Sequence, residues 1–127
     1  MRAYLKVQVE LKTQKPITST TPLHLASVSK VLTATAILKL VENDNISLDQ
    51  KVTDWLPKFP YKNTTIRTLL NHRSGLQHYS RFPELLGKSW NRKKILSNQD
   101  ILDLIVQHKF RLLSTDNTKF DYCNTNY

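Results

Sequence analysis

Between residues 5 and 12, Leu5, Val7, Val9 and Leu11 alternate with Lys6, Gln8, Glu10 and Lys12. A period of two predicts a half-buried strand, and residues 1–12 are read as an N-terminal strand. A polar stretch containing Pro16 and Pro22 follows and reads as loop. From Ser27 to about Val41 the pattern changes to a predominantly apolar, helix-like run, "SVSKVLTATAILKLV". That run is apolar on nearly every side, so it predicts a buried central helix. In "ISLDQKVTDWLP", Val52, Trp55 and Leu56 stand at helical spacing and Pro57 stops the run. "TTIRTLLNHRSGL" predicts a short helix capped by Thr65, with Ile66, Leu69 and Leu70 inward, closed near Gly75. Ser97 followed by Asp100 is a capping-box pattern before Ile101, Leu104 and Ile105. The tail is polar and turn-rich, and no internal repeat is visible.

These elements describe one strand followed by helices and loops, with residues 25–127 mostly helical. A single strand must find partners. Nothing after Lys12 reads as one, and the chain stops abruptly at Tyr127. The expectation is a single, partial α+β domain spanning residues 1–127.

Composition narrows the function. The 127 residues suffice for one domain, and 39% hydrophobic content marks a globular chain. Two glycines leave no room for a glycine-rich phosphate loop. A net charge of +9 raises nucleic acid as a partner, but the densest basic group is only Arg92-Lys93-Lys94. No aromatic residues interleave with it, so a solvated basic surface is the reading and nucleic acid is not expected. The single cysteine, Cys123, permits no intrachain disulfide and no cysteine metal cluster. His24, His72, His78 and His108 show no paired ligand spacing, so no metal is expected. No signal-peptide core and no run of ~20 apolar residues is present, so neither an export address nor a membrane span is expected within the chain.

Candidate chemistry begins at Ser27 and Lys30. Residues three apart share a helix face, with Cβ atoms roughly 5–6 Å apart. A serine hydroxyl needs a proton acceptor to become a nucleophile. Burial in an apolar wall makes a lysine a base near neutral pH. The N-terminus of a helix also offers N–H groups to an oxyanion. The spacing alone is common, and a lysine snorkelling from an apolar helix explains it equally well. A second feature is Tyr122-Cys123-Asn124, in which a phenol can relay protons and an amide can hold a substrate amide. The same Y-x-N pattern occurs as Tyr61-Lys62-Asn63, so it is not decisive either.

Four blocks in order are more specific: "PLHLASVSKVLTATAILKLVE", "ISLDQKVTDWLP", "TIRTLLNHRSGL" and "TKFDYCNTNY". Over about residues 16 to 127 the chain resembles the serine β-lactamase and penicillin-binding-protein superfamily. The likeness is to the branch of class C β-lactamases, D,D-carboxypeptidases and related esterases, and S-x-x-K is a signature of that superfamily. The resemblance implies a β-lactamase/transpeptidase-like α+β fold, here mainly its helical part with an N-terminal strand and without the late strands of the antiparallel sheet. It implies an acyl-enzyme reaction on a β-lactam, a D-Ala-D-Ala peptide or an ester, with a small-molecule or peptide substrate and no cofactor. Ser27 would be the acylated nucleophile, Lys30 its activator and Tyr122 the proton exchanger. Asn124 would bind the substrate amide, and the Ser27 N–H would form half of the oxyanion hole. His72, Ser74 and Gly75 would support the wall of the site, and Cys123 would pack. A periplasmic or cell-envelope location would follow.

The chain departs from the family pattern in three places. The third motif, Lys-Ser/Thr-Gly or His-x-Gly on a late strand, does not occur in these residues. One N-terminal strand is visible where the family begins with two or more. Asp116-Asn117 replaces the usual Pro-Gly turn before Y-x-N, which is tolerable turn chemistry. The alternative to an active hydrolase is therefore a truncated, non-catalytic remnant that keeps both motifs.

Overall fold

The computed structural model describes residues 8–10, 15–90, 95–115 and 117–127. Strand β1 (Gln8–Glu10) pairs antiparallel with β2 (Lys15–Pro16), placing Gln8 opposite Pro16 and Glu10 opposite Lys15 across an irregular register. The polar stretch read as loop thus supplies the partner strand. A proline is compatible with such an edge. Leu5, Val7 and Leu11 of the predicted strand lie outside the described residues.

Helix α1 covers Ser29–Glu42 and is entered through a 3-10 turn at Ala26–Val28. Its extent matches the apolar run, but its burial does not. No residue of α1 is buried, and Val31 and Leu32 are 63% and 65% exposed. The expected central helix lies at the surface because no described element covers its apolar sides. The next predicted helix shrinks to a 3-10 turn at Val52–Asp54. There Lys51 forms an isolated bridge to Thr65, and the Val52 N–H donates to Thr64 O at 2.9 Å. The Lys51 and Val52 carbonyls still accept from the turn that follows, Asp54 N–H at 3.1 Å and Leu56 N–H at 2.9 Å, but Pro57 lets it run no further. Val52 is buried, while Trp55 and Leu56 are exposed.

Helix α2 (Ile66–Leu70) starts as expected. Thr65 Oγ1 accepts from Thr68 N–H at 3.2 Å, and Thr68 Oγ1 accepts from Thr65 N–H at 2.9 Å. Each group satisfies a donor that the first turn leaves open. The helix ends at Asn71, and His72 then turns left-handed with φ 57°. A short α3 (Phe82–Leu86) was not apparent in the pattern; its Phe82 is fully buried and stacks on Phe110 at 4.5 Å. Helix α4 (Asn98–His108) carries the Ser97–Asp100 capping box, with bonds of 3.2 and 2.9 Å.

The core gathers Val52, Phe59, Leu76, Phe82 and Ile105, flanked by Leu69, Ile101, Leu104 and Phe110. It lies among α2, α3, α4 and the loops, with α1 outside it. Above this core the chain from 113 to 127 is sewn to the loop after α2. Leu113 N–H donates to Gly75 O, Asn117 N–H to Arg73 O and Asp121 N–H to His72 O, each at 2.8 Å. Gly75 has φ +71°, and a Cβ there would run into the Ser114 carbonyl oxygen. Only glycine permits this close approach.

Candidate active site

The turn before α1 sets the position of Ser27. Ala26 adopts a left-handed conformation, φ 46°, directly ahead of it. A residue with a Cβ pays about 1–2 kcal/mol for that conformation. Strain of this kind concentrates at functional positions. One turn later the side chain of Lys30 returns, and its Nζ donates to Ser27 Oγ at 3.2 Å. The predicted pair is therefore in direct contact.

Tyr122, 95 residues away in sequence, comes to the same oxygen. Its hydroxyl donates to Ser27 Oγ at 2.6 Å. Lys30 Nζ lies 5.1 Å from the Tyr122 ring centroid and 5.8 Å from that of Tyr127. Lys30 is thus half-buried between a hydroxyl and two aromatic faces, not sunk in an apolar wall. Aromatic faces attract an ammonium group. Hydrogen bonding with Lys30 first, and then with Ser27, holds the Tyr122 hydroxyl below the ordinary phenol range. Ser27, Lys30 and Tyr122 form one proton-sharing cluster at the protein surface.

Asn124 joins them across a cleft of about 780 Å³, whose lining includes Ser27, Lys30, Tyr79, Trp90, Asn124 and Tyr127. The Asn124 Oδ1 atom is buried and has no hydrogen-bond partner among the described residues. A buried acceptor without a partner costs free energy unless something donates to it. The other Y-x-N copy plays no such part, since the Tyr61 hydroxyl donates to the Phe110 carbonyl at the edge of the core. Cys123 is buried between the two site residues, its Sγ 3.5 Å from Leu76 O. Among the described residues no three His, Cys, Asp or Glu side chains gather as a metal site.

Several contributors were not apparent in the sequence. Tyr127 covers Lys30 and donates to Leu70 O at 2.9 Å. Thr125 Oγ1 donates to Gln77 O at 2.8 Å and accepts from Tyr79 N–H at 2.9 Å. Ser74 Oγ donates to Asn126 Oδ1 at 2.6 Å. The available signal was the Asn126-Tyr127 pair that closes "NTNY", a second polar-aromatic pair after Asp121-Tyr122. The expectation that His72, Ser74 and Gly75 support a wall corresponds to these contacts: His72 and Gly75 hold the 113–127 segment, and Ser74 anchors Asn126.

A sequence model of the Beta-lactamase family matches residues 3–127. The chain is 37% identical to Penicillin-binding protein 4* of Bacillus subtilis (strain 168) over 121 residues, covering 93% of this chain and 26% of that protein. It is 33% identical to Esterase EstB of Burkholderia gladioli over 108 residues, covering 80% and 27% respectively. The structure superposes on the D-amino acid amidase of Ochrobactrum anthropi SV3 in complex with L-phenylalanine with a TM-score of 0.71. Identity there is 26%, with 94% of this chain and 32% of the amidase covered. The chain thus spans about a quarter to a third of the length of these relatives.

Proposed function

The chain belongs to the Beta-lactamase family and carries part of its α+β, transpeptidase-like fold, and from that premise we propose that it is a serine hydrolase acting on an amide or ester through an acyl-enzyme. The observation that carries this reading is Ser27 Oγ held between Lys30 Nζ at 3.2 Å and Tyr122 Oη at 2.6 Å. Ser27 Oγ attacks the substrate carbonyl and forms the acyl–oxygen bond. Its proton passes into the Lys30–Tyr122 cluster and from Tyr122 to the leaving amine or alcohol. Water then releases the acid and restores the hydroxyl. The Ser27 N–H, at the head of the helix, is one donor to the oxyanion. Asn124 Oδ1 accepts from the N–H of a substrate amide, which gives the buried oxygen its missing partner. The relatives point to the same substrate classes: a penicillin-binding protein, an esterase and an amidase. A location at the cell envelope goes with this reading. Among the described residues no helix is long and apolar enough to cross a membrane.

The test is intact mass after incubation with a penicillin or a fluorophosphonate. An adduct that disappears in Ser27→Ala supports the nucleophile, and the absence of any adduct sinks it.

A further inference from the structure

His72 is used by none of the steps above, yet it is the most heavily engaged side chain near them. It is 8% exposed and stands in the left-handed conformation, φ 57°. Its carbonyl accepts from Asp121 N–H at 2.8 Å, and its Nδ1 accepts from Cys123 N–H at 3.2 Å. These two bonds flank Tyr122, whose ring lies 4.5 Å from the imidazole. The next residue after Cys123 is Asn124. One histidine therefore grips the backbone on both sides of the tyrosine.

The protonation state follows from the donors. A backbone N–H can only donate, so His72 Nδ1 carries no proton and the neutral ring bears it on Nε2. Asn126 Nδ2 lies 3.2 Å from the same Nδ1. Its orientation is set by Ser74, which takes the Leu76 N–H at 3.2 Å and gives its own proton to Asn126 Oδ1 at 2.6 Å. Ser74, His72 and Asn126 are all buried. A proton added to Nδ1 would face the Cys123 N–H and the Asn126 amide, and both bonds would be lost.

We propose that His72 is a positioning residue for Tyr122 and Asn124, clamping residues 121–124 while its imidazole is neutral and releasing them when Nδ1 is protonated. The proposal rests on the acyl-transfer reading for its consequence in rate, but not for its structural content. Among the described residues, the titratable side chains placed against His72 are Lys30 from α1 and Tyr122 and Tyr127 from the terminal segment, while Asp121 and Cys123 meet it through their backbone N–H groups. None of these three side chains is a carboxylate that would hold an imidazolium. Burial first, and the Lys30 charge second, push the imidazole below its ordinary value. Because the folded chain binds this proton less readily than the unfolded one, the clamp's contribution to stability is complete above the ordinary histidine value. It is lost as pH falls through the lowered one.

The test is nitrogen-15 NMR of the intact chain over about pH 5 to 8, where histidine titrates. The expected result is a proton on His72 Nε2 and a titration below the ordinary histidine value. The Cys123 amide and Asn124 side-chain signals should shift with the same midpoint. A proton on Nδ1, or Cys123 and Asn124 signals that stay still through the His72 titration, overturns the proposal. His72→Asn keeps an acceptor that does not titrate and tolerates a left-handed backbone; it should abolish the coupled shift. Where Ser27 acylation is measurable, His72→Phe should slow it ~10²-fold, the scale of a small misplacement. In His72→Asn the acid-side fall in rate should disappear. If no adduct forms at any pH, the acyl-transfer reading fails, and the NMR result still decides the role of His72.

Discussion

Helices α1 and α4 show that apolar content and burial are different properties. The α1 sequence is the more hydrophobic, yet none of its residues is buried and no side chain caps its start. The α4 sequence mixes polar and apolar residues, is capped by Ser97 and buries Ile105 to 3% exposure. A helix contributes to stability through the face it covers, so α4 supports the core. What α1 contributes to the candidate site is position, because it carries Lys30 and begins beside Ser27.

That division can be broken by mutation. The largest effect is expected at Lys30→Ala, which should slow Ser27 acylation by ~10²–10⁴-fold, the usual worth of a proton-transfer group. The melting temperature should hardly change, and a large drop would mean that α1 is structural after all. Next comes Ile105→Ala in α4, expected to cost about 2–5 kcal/mol in chemical denaturation, as a cavity in a packed core does. Ser97→Ala, removing the α4 cap, should cost about 1 kcal/mol by the same measurement. Smallest is Leu32→Ala in α1, expected within about 0.5 kcal/mol of the parent chain, like other exposed substitutions. If Leu32→Ala rivals Ile105→Ala, a partner or a second copy covers α1 in solution, and sedimentation would show it.

Local signals were legible where the physics is local. The caps at Thr65 and Ser97 mark α2 and α4 because each side chain bonds the backbone three residues on. The span of α1 followed from its predominantly apolar run, but its exposure did not. A sequence shows what a helix could bury, not whether anything is there to bury it. Strand β2 is two residues long and ends on Pro16, which leaves no periodicity to read. Within the site, Ser27 and Lys30 are neighbours on one helical path and were visible as spacing. Tyr122 was separable from Tyr61 only through the blocks around it, because its contact with Ser27 crosses 95 positions. The Ser74–Asn126–His72 bonds cross 52 and 54 positions, and no local rule anticipates them.

The single thiol offers a clock for the segment that matters most. Cys123 stands between Tyr122 and Asn124 in the chain and its Sγ is buried against Leu76 O, so an aromatic disulfide reagent should reach it when that stretch lifts away from the loop after α2. Its labelling half-time in native buffer therefore reports how often Tyr122 and Asn124 leave their places. A ligand that seats against them should slow labelling to a rate in proportion to the fraction of chain left unbound, which makes the untagged chain its own binding assay.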